Sequence, residues 1–150
     1  MVIRNDSIKG LVDNYAFVWS EVRLVIAALA LFLGGYPPIL YLNPIQAFYG
    51  LFSFFLWVCW LISGAVSIYM LYRWNEGGRM LFGGKDNKDM TAFLISCISG
   101  INLGLAGLLG KNIGMSFSSN HIIFAVVGII YLYCAYHLVM KWKSNSEKIF

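Results

Sequence analysis

The chain has 150 residues, 59% hydrophobic, 17% aromatic and only 12% charged, with a mean hydropathy of +0.70. Soluble domains average about 25% charged residues, and a globule of this size cannot hide so much apolar side chain behind polar cover, which argues against a soluble fold. The formal charge of +4 does not indicate nucleic acid, because the basic residues flank apolar runs, as orientation in a bilayer requires.

In residues 1–23, Ile8, Leu11, Val12, Tyr15, Val18, Trp19 and Val22 follow the i, i+3, i+4, i+7 rhythm of one helix face. Lys9, Asp13, Asn14, Glu21 and Arg23 fall largely elsewhere, and Asn5, Asp6 and Ser7 supply candidate N-caps. This predicts an amphipathic N-terminal helix, about 7–23, lying at the membrane interface or leading directly into the first span, with a docking face for a partner subunit as the alternative. A first span, about 24–42, follows. Its apolar run after Arg23 has the pattern of a secretory leader and is read as a retained span. Gly34-Gly35 and Pro37-Pro38 impose a turn, since proline lacks an amide donor and pushes the preceding residue extended.

Asn43-Pro44 is set to open the second span, about 44–72, with Asn as cap and Pro at the first helical position. Trp57 and Trp60 sit mid-span, where packing, lipid contact and cofactor contact all remain open. The loop from Arg73 to Asp89 is polar, with Met80-Leu81-Phe82 as an apolar foothold; its GGKDNKD stretch lacks the spacing of a phosphate-binding loop. It reads as a solvated connector.

The third span, about 90–109, carries Ser96, Gly100 and Gly104 on one face, the small-xxx-small pattern that lets helix backbones approach closely. Leucine at Gly100 or Gly104 is expected to disrupt packing more than leucine at Ala106. Asn102 lies on another face, where an amide either bonds across helices or lines a pathway. Ser119-Asn120 can cap the fourth span, about 120–140, which ends on Lys141-Trp142-Lys143, an interfacial anchor. The fold class expected is an all-α integral membrane protein of four transmembrane helices.

With four spans, Arg4, Lys9, Arg23, Arg73, Arg79, Lys85, Lys88, Lys141, Lys143 and Lys148 fall on one side and only Lys111 on the other. That ten-to-one asymmetry places both termini and the 73–89 loop in the cytoplasm.

No Asp, Glu, Lys or Arg lies within Leu24–Tyr72, Met90–Gly110 or Ser119–Met140. Ionisable groups inside spans mark transport and redox sites, so proton coupling through an embedded carboxylate and a carboxylate-bridged metal centre are both set aside. Cys59, Cys97 and Cys134 show no paired spacing. His121 with Met115 suits copper by softness alone, and His137 follows Tyr133 by one turn, but none has ligand spacing. No catalytic, cofactor-binding or metal residue is expected, and lipid is the one bound molecule anticipated. The function expected is a non-catalytic integral membrane subunit that packs within a larger complex, its partners being the bilayer and other membrane chains or copies of itself. The alternatives are a small homo-oligomeric channel or transporter with an uncharged pathway, and a lipid-, quinone- or metal-using enzyme component.

Overall fold

The computed structural model describes the backbone of residues 2–41, 48–110, 112–117 and 120–150, with side chains for 8–40, 48–110, 112–114, 116 and 120–150. The described residues are helical: α1 Val2–Phe32, α2 Pro38–Tyr41, α3 Tyr49–Glu76, α4 Asn87–Leu109, α5 Ile113–Phe117 and α6 His121–Ser144. Four of them, α1 (over Ile8–Phe32), α3, α4 and α6, are long and apolar enough to cross a membrane.

Local chemistry fixes most of the ends. Gly34 and Gly35, with φ of 77° and 90°, close α1. Gly35 N donates to Ala30 O and Gly34 N to Leu31 O, the double bond of a Schellman cap. Asp86 caps α4 by accepting from Lys88 N at 2.9 Å, and Gly110 ends it in the left-handed region. Asn120 caps α6 by accepting from Ile122 N at 2.8 Å. The expected cap at Asn43-Pro44 lies outside the described residues.

The structure differs from the sequence reading at its N-terminal third. The 7–23 helix leads directly into the first span: α1 runs unbroken from Val2 to Phe32, and Asn5, Asp6 and Ser7 lie inside it. Nothing between Ile8 and Phe32 interrupts a helix: no proline, one glycine and no cap. The span therefore shifts towards the N-terminus, and the residues after Phe32 form the turn and α2.

Relative to a soluble amphipathic helix, the polarity of α1 is inverted. The periodic apolar face points outward, with Ile8, Leu11, Tyr15 and Val22 each more than half exposed, while Asp13, Phe17, Ser20, Glu21, Arg23, Leu24 and Ala28 are buried. In lipid there is no hydrophobic reward for burying apolar side chains against protein, so the polar face turns inward.

α3 packs on α4 and α1, and α6 packs on α1 and α4; α3 and α6 do not meet. The closest approach is Gly64 of α3 against Gly104 of α4, where a Cβ on either would lie 2.7 Å from the other's Cα. One end of the bundle is tied by the chain's own polar segments. Arg73 grips Asp13 with two hydrogen bonds, of 2.9 and 2.7 Å, and Tyr69 adds a third at 2.8 Å. Phe82 N donates to Ile149 O, drawing the C-terminal tail over the 77–86 loop, with Leu81 and Ile149 buried beneath.

Ala106 is buried too, at 4% exposure, so it is a poor tolerant reference. Gly50 has open space around it. Leucine at Gly64 or Gly104 should lower stability by about 1–3 kcal/mol or more through overpacking, and leucine at Gly50 should be neutral. Thermal unfolding in detergent checks this, and equal tolerance at the three sites would refute the close approach.

Candidate functional site

Halfway along α1 the helix carries Ser20, Glu21 and Arg23, all less than 7% exposed, against the middle of α4. Residues two apart point to different sides of a helix, and among the described residues no direct ion pair joins Glu21 to Arg23. They meet through α4 instead. Arg23 Nη2 donates to Ser96 O at 2.8 Å and to Ser20 Oγ at 3.2 Å, with a longer approach to Ser96 Oγ at 3.4 Å. Arg23 Nη1 donates to Ser99 Oγ at 3.2 Å.

Ser96 has one hydroxyl hydrogen, and giving it to Glu21 fixes the direction of the rest. Ser20 Oγ accepts from Arg23, and its own hydrogen faces Ser96 Oγ, 3.0 Å away. Ser96 Oγ then donates to Glu21 Oε1 at 3.1 Å. A chain of two hydroxyls thus carries polarity from the cation to the carboxyl. Three buried atoms around it have no partner: Glu21 Oε2, Arg23 Nε and Ser67 Oγ.

Glycine is required at Gly100. A Cβ there would overlap Ser67 Oγ and stand 3.0 Å from both Arg23 Cζ and Ser63 O. α3 completes the wall, with Ser63 and Ser67 buried and Trp19 Nε1 donating to Ser63 Oγ at 3.3 Å.

The residues singled out from sequence separate into three places. Ser96, Gly100 and Gly104 face α1 and α3 of the same chain, so that face is already occupied. Asn102 sits apart from the cluster: its Nδ2 donates to Asn112 Oδ1 at 2.8 Å and its Oδ1 accepts from Gly114 N at 3.3 Å, tying α4 to the start of α5. His121 lies against the Gly34 turn, where a Cβ would stand 3.0 Å from its ring. The Met115 side chain is outside the described residues. His137 Nε2 meets Asp89 Oδ1 at 2.6 Å, Lys141 approaches the other Asp89 oxygen at 3.6 Å, and Tyr133 stacks on the His137 ring. Among the described residues no group of three His, Cys, Asp or Glu could hold a metal.

Glu21, Arg23, Ser20, Ser63 and Ser67 did not stand out in the sequence; Ser99, with Ser96, did, as a hydroxyl that could line a path. Counting the first span from Leu24 placed Glu21 and Arg23 outside it, whereas the helix that is long and apolar enough to cross, Ile8–Phe32, contains both. The available signal was the polar face Asp13, Asn14, Ser20, Glu21 and Arg23 within a stretch that has no helix stop.

A cavity of about 560 Å³ opens at the tail end of the bundle, lined by Lys9, Asp13, Asn14, Arg73 and the C-terminal residues. Another, of about 250 Å³, lies under the 79–90 loop. Neither includes Glu21 or Arg23. Comparison with known proteins finds no matching family model, and no curated protein or solved structure matches at a significant level.

Ser96→Ala removes the donor to Glu21 and the acceptor of Ser20 together. Its expected effect is a loss of about 1–3 kcal/mol, whereas Ser144→Ala, at an exposed helix end, should stay within about 0.5 kcal/mol of the parent. Chemical unfolding in a mixed-micelle series measures both.

Proposed function

We propose that the chain is a non-catalytic integral membrane subunit, with its termini and the 77–86 loop in the cytoplasm. The observation that carries this reading is how the polar groups are disposed. Those at the middle of the bundle are turned inward towards one another, and the outer faces of the spans are left apolar. On α3 that exterior becomes an aromatic ridge of Phe48, Tyr49, Phe54, Phe55 and Trp57, each 44–56% exposed, on a helix that touches only α1 and α4 among the other spans. Rigid aromatic surface of this kind suits contact with a neighbouring membrane chain.

The sidedness rests on basic residues. With Arg23 moved into the bundle, nine remain at the end of the termini and the 77–86 loop: Arg4, Lys9, Arg73, Arg79, Lys85, Lys88, Lys141, Lys143 and Lys148. Lys111 alone belongs in sequence to the connection after α4, so the positive-inside rule keeps its force. The small-residue face of α4 is read as an internal seat for α1 and α3, which leaves the α3 ridge as the surface offered to partners.

Purification from native membranes in mild detergent should bring other membrane chains along in fixed stoichiometry, as read by mass spectrometry. Recovery of a solitary monomer would overturn the subunit reading. In single-cysteine variants, Lys88→Cys should react with an impermeant maleimide only in inverted vesicles; labelling from the outside of intact cells would reverse the orientation.

A second reading, membrane transport, is favoured by one observation, the Glu21–Arg23 cluster itself. Buried ionisable groups are weak stabilisers compared with apolar side chains of the same volume, and inside spans they mark ion and solute pathways. Vesicles containing only this chain would then show proton flux, reported by an enclosed pH dye, that Glu21→Gln abolishes.

A further inference from the structure

Glu21 is the buried carboxyl whose two oxygens differ most in surroundings. Oε1 receives the single hydrogen of the Ser96 hydroxyl, so Ser20 donates to Ser96 in turn. Oε2 receives nothing from the described residues. With Oε1 taken by the Ser96 donor, Oε2 is the atom free to take a proton. Without a direct ion pair to Arg23, the carboxyl is not locked in its ionised form by contact. An ionised Glu21 leaves negative charge on an oxygen with no donor, while a protonated one leaves an O–H to find an acceptor. Each state carries an unsatisfied atom.

The groups that face this carboxyl are few. Arg23 lies on its own helix, Cys97 comes from α4, and Cys134 from α6; Tyr131 of α6 stands near Arg23. From α3, the Ser67 hydroxyl and the Ser63 carbonyl come up beside Gly100, on the Arg23 side. No second carboxylate competes for the site among these neighbours.

We propose that Glu21 is a proton-binding carboxyl in the middle of the four spans, taking its proton on Oε2. Uptake adds one proton from water to Oε2, the carboxylate becomes neutral, and Arg23 keeps all of its protons, so the cluster passes from zero net charge to one positive charge. Release reverses this. Ser67 Oγ and Arg23 Nε, both unpartnered and both beside Gly100, are polar atoms held in the same buried region. The site does not depend on whether the chain works alone or in a complex, nor on whether protons cross the membrane.

The chain has three glutamates, Glu21, Glu76 and Glu147, of which only Glu21 is buried. Carboxyl-13C glutamate labelling therefore separates it from Asp13 and Asp89 in infrared spectra of the protein reconstituted in lipid vesicles. The expected result is an isotope-shifted stretch of a protonated carboxyl that grows as pH falls with a single-proton profile and moves in D2O. That band should vanish in Glu21→Gln and persist, displaced, in Glu21→Asp, which also serves if the Gln variant does not fold. A spectrum with no band sensitive to these two substitutions overturns the proposal. So does a band of constant height at every pH where the bundle stays folded.

Discussion

The Ser96 hydroxyl is the contact on which the bundle turns. It donates to Glu21 and accepts from Ser20, which is held by Arg23, so a single side chain of α4 reconciles two ionisable groups of α1 that do not touch each other. Buried charge without such partners is expensive. The arrangement in turn demands the absence of a side chain at Gly100, because Arg23 and Ser67 fill the space a Cβ would take. One turn further, Gly104 lets α3 approach until glycine meets glycine. The helix order, with α1 and α3 both seated on α4, follows from these neighbouring positions.

A bilayer reverses the usual sorting of side chains, and α1 shows the consequence. In water its apolar stripe would be buried and Asp13, Ser20, Glu21 and Arg23 left wet. Here the stripe faces outward, and every one of those polar residues finds a partner on α3 or α4 or on α1 itself. The Asp13–Arg73 fork at one end and the serine cluster in the middle form successive polar rungs along the same buried face. Such contacts do for membrane helices what apolar burial does for soluble ones.

Local signals in the sequence read true where the chemistry is local. Gly34-Gly35 ends α1, Gly110 ends α4, and Asn120 starts α6, each through bonds that involve only a few adjacent residues. The start of the first span was placed too late for the opposite reason. The rhythm of Ile8, Leu11, Tyr15 and Val18 is the same whether the apolar face meets lipid on a helix lying at the interface or on one that crosses. Asn102 looked like a group for crossing between spans, yet it reaches only the next loop, Asn112 and Gly114, because the chain returns there immediately after Gly110.

By itself the sequence determined that this is a membrane protein of four apolar helices, since composition and run length depend on no partner. It also located the small-residue face of α4, since spacing on one helix is a property of that helix. Only the tertiary structure decided what lies against that face, and that Glu21 and Arg23 belong inside the bundle. Those two residues sit at the boundary of an apolar run when the chain is read in one dimension. They become its centre once Ser96 and Ser99, more than seventy residues away, supply the hydrogen bonds that make burying them tolerable.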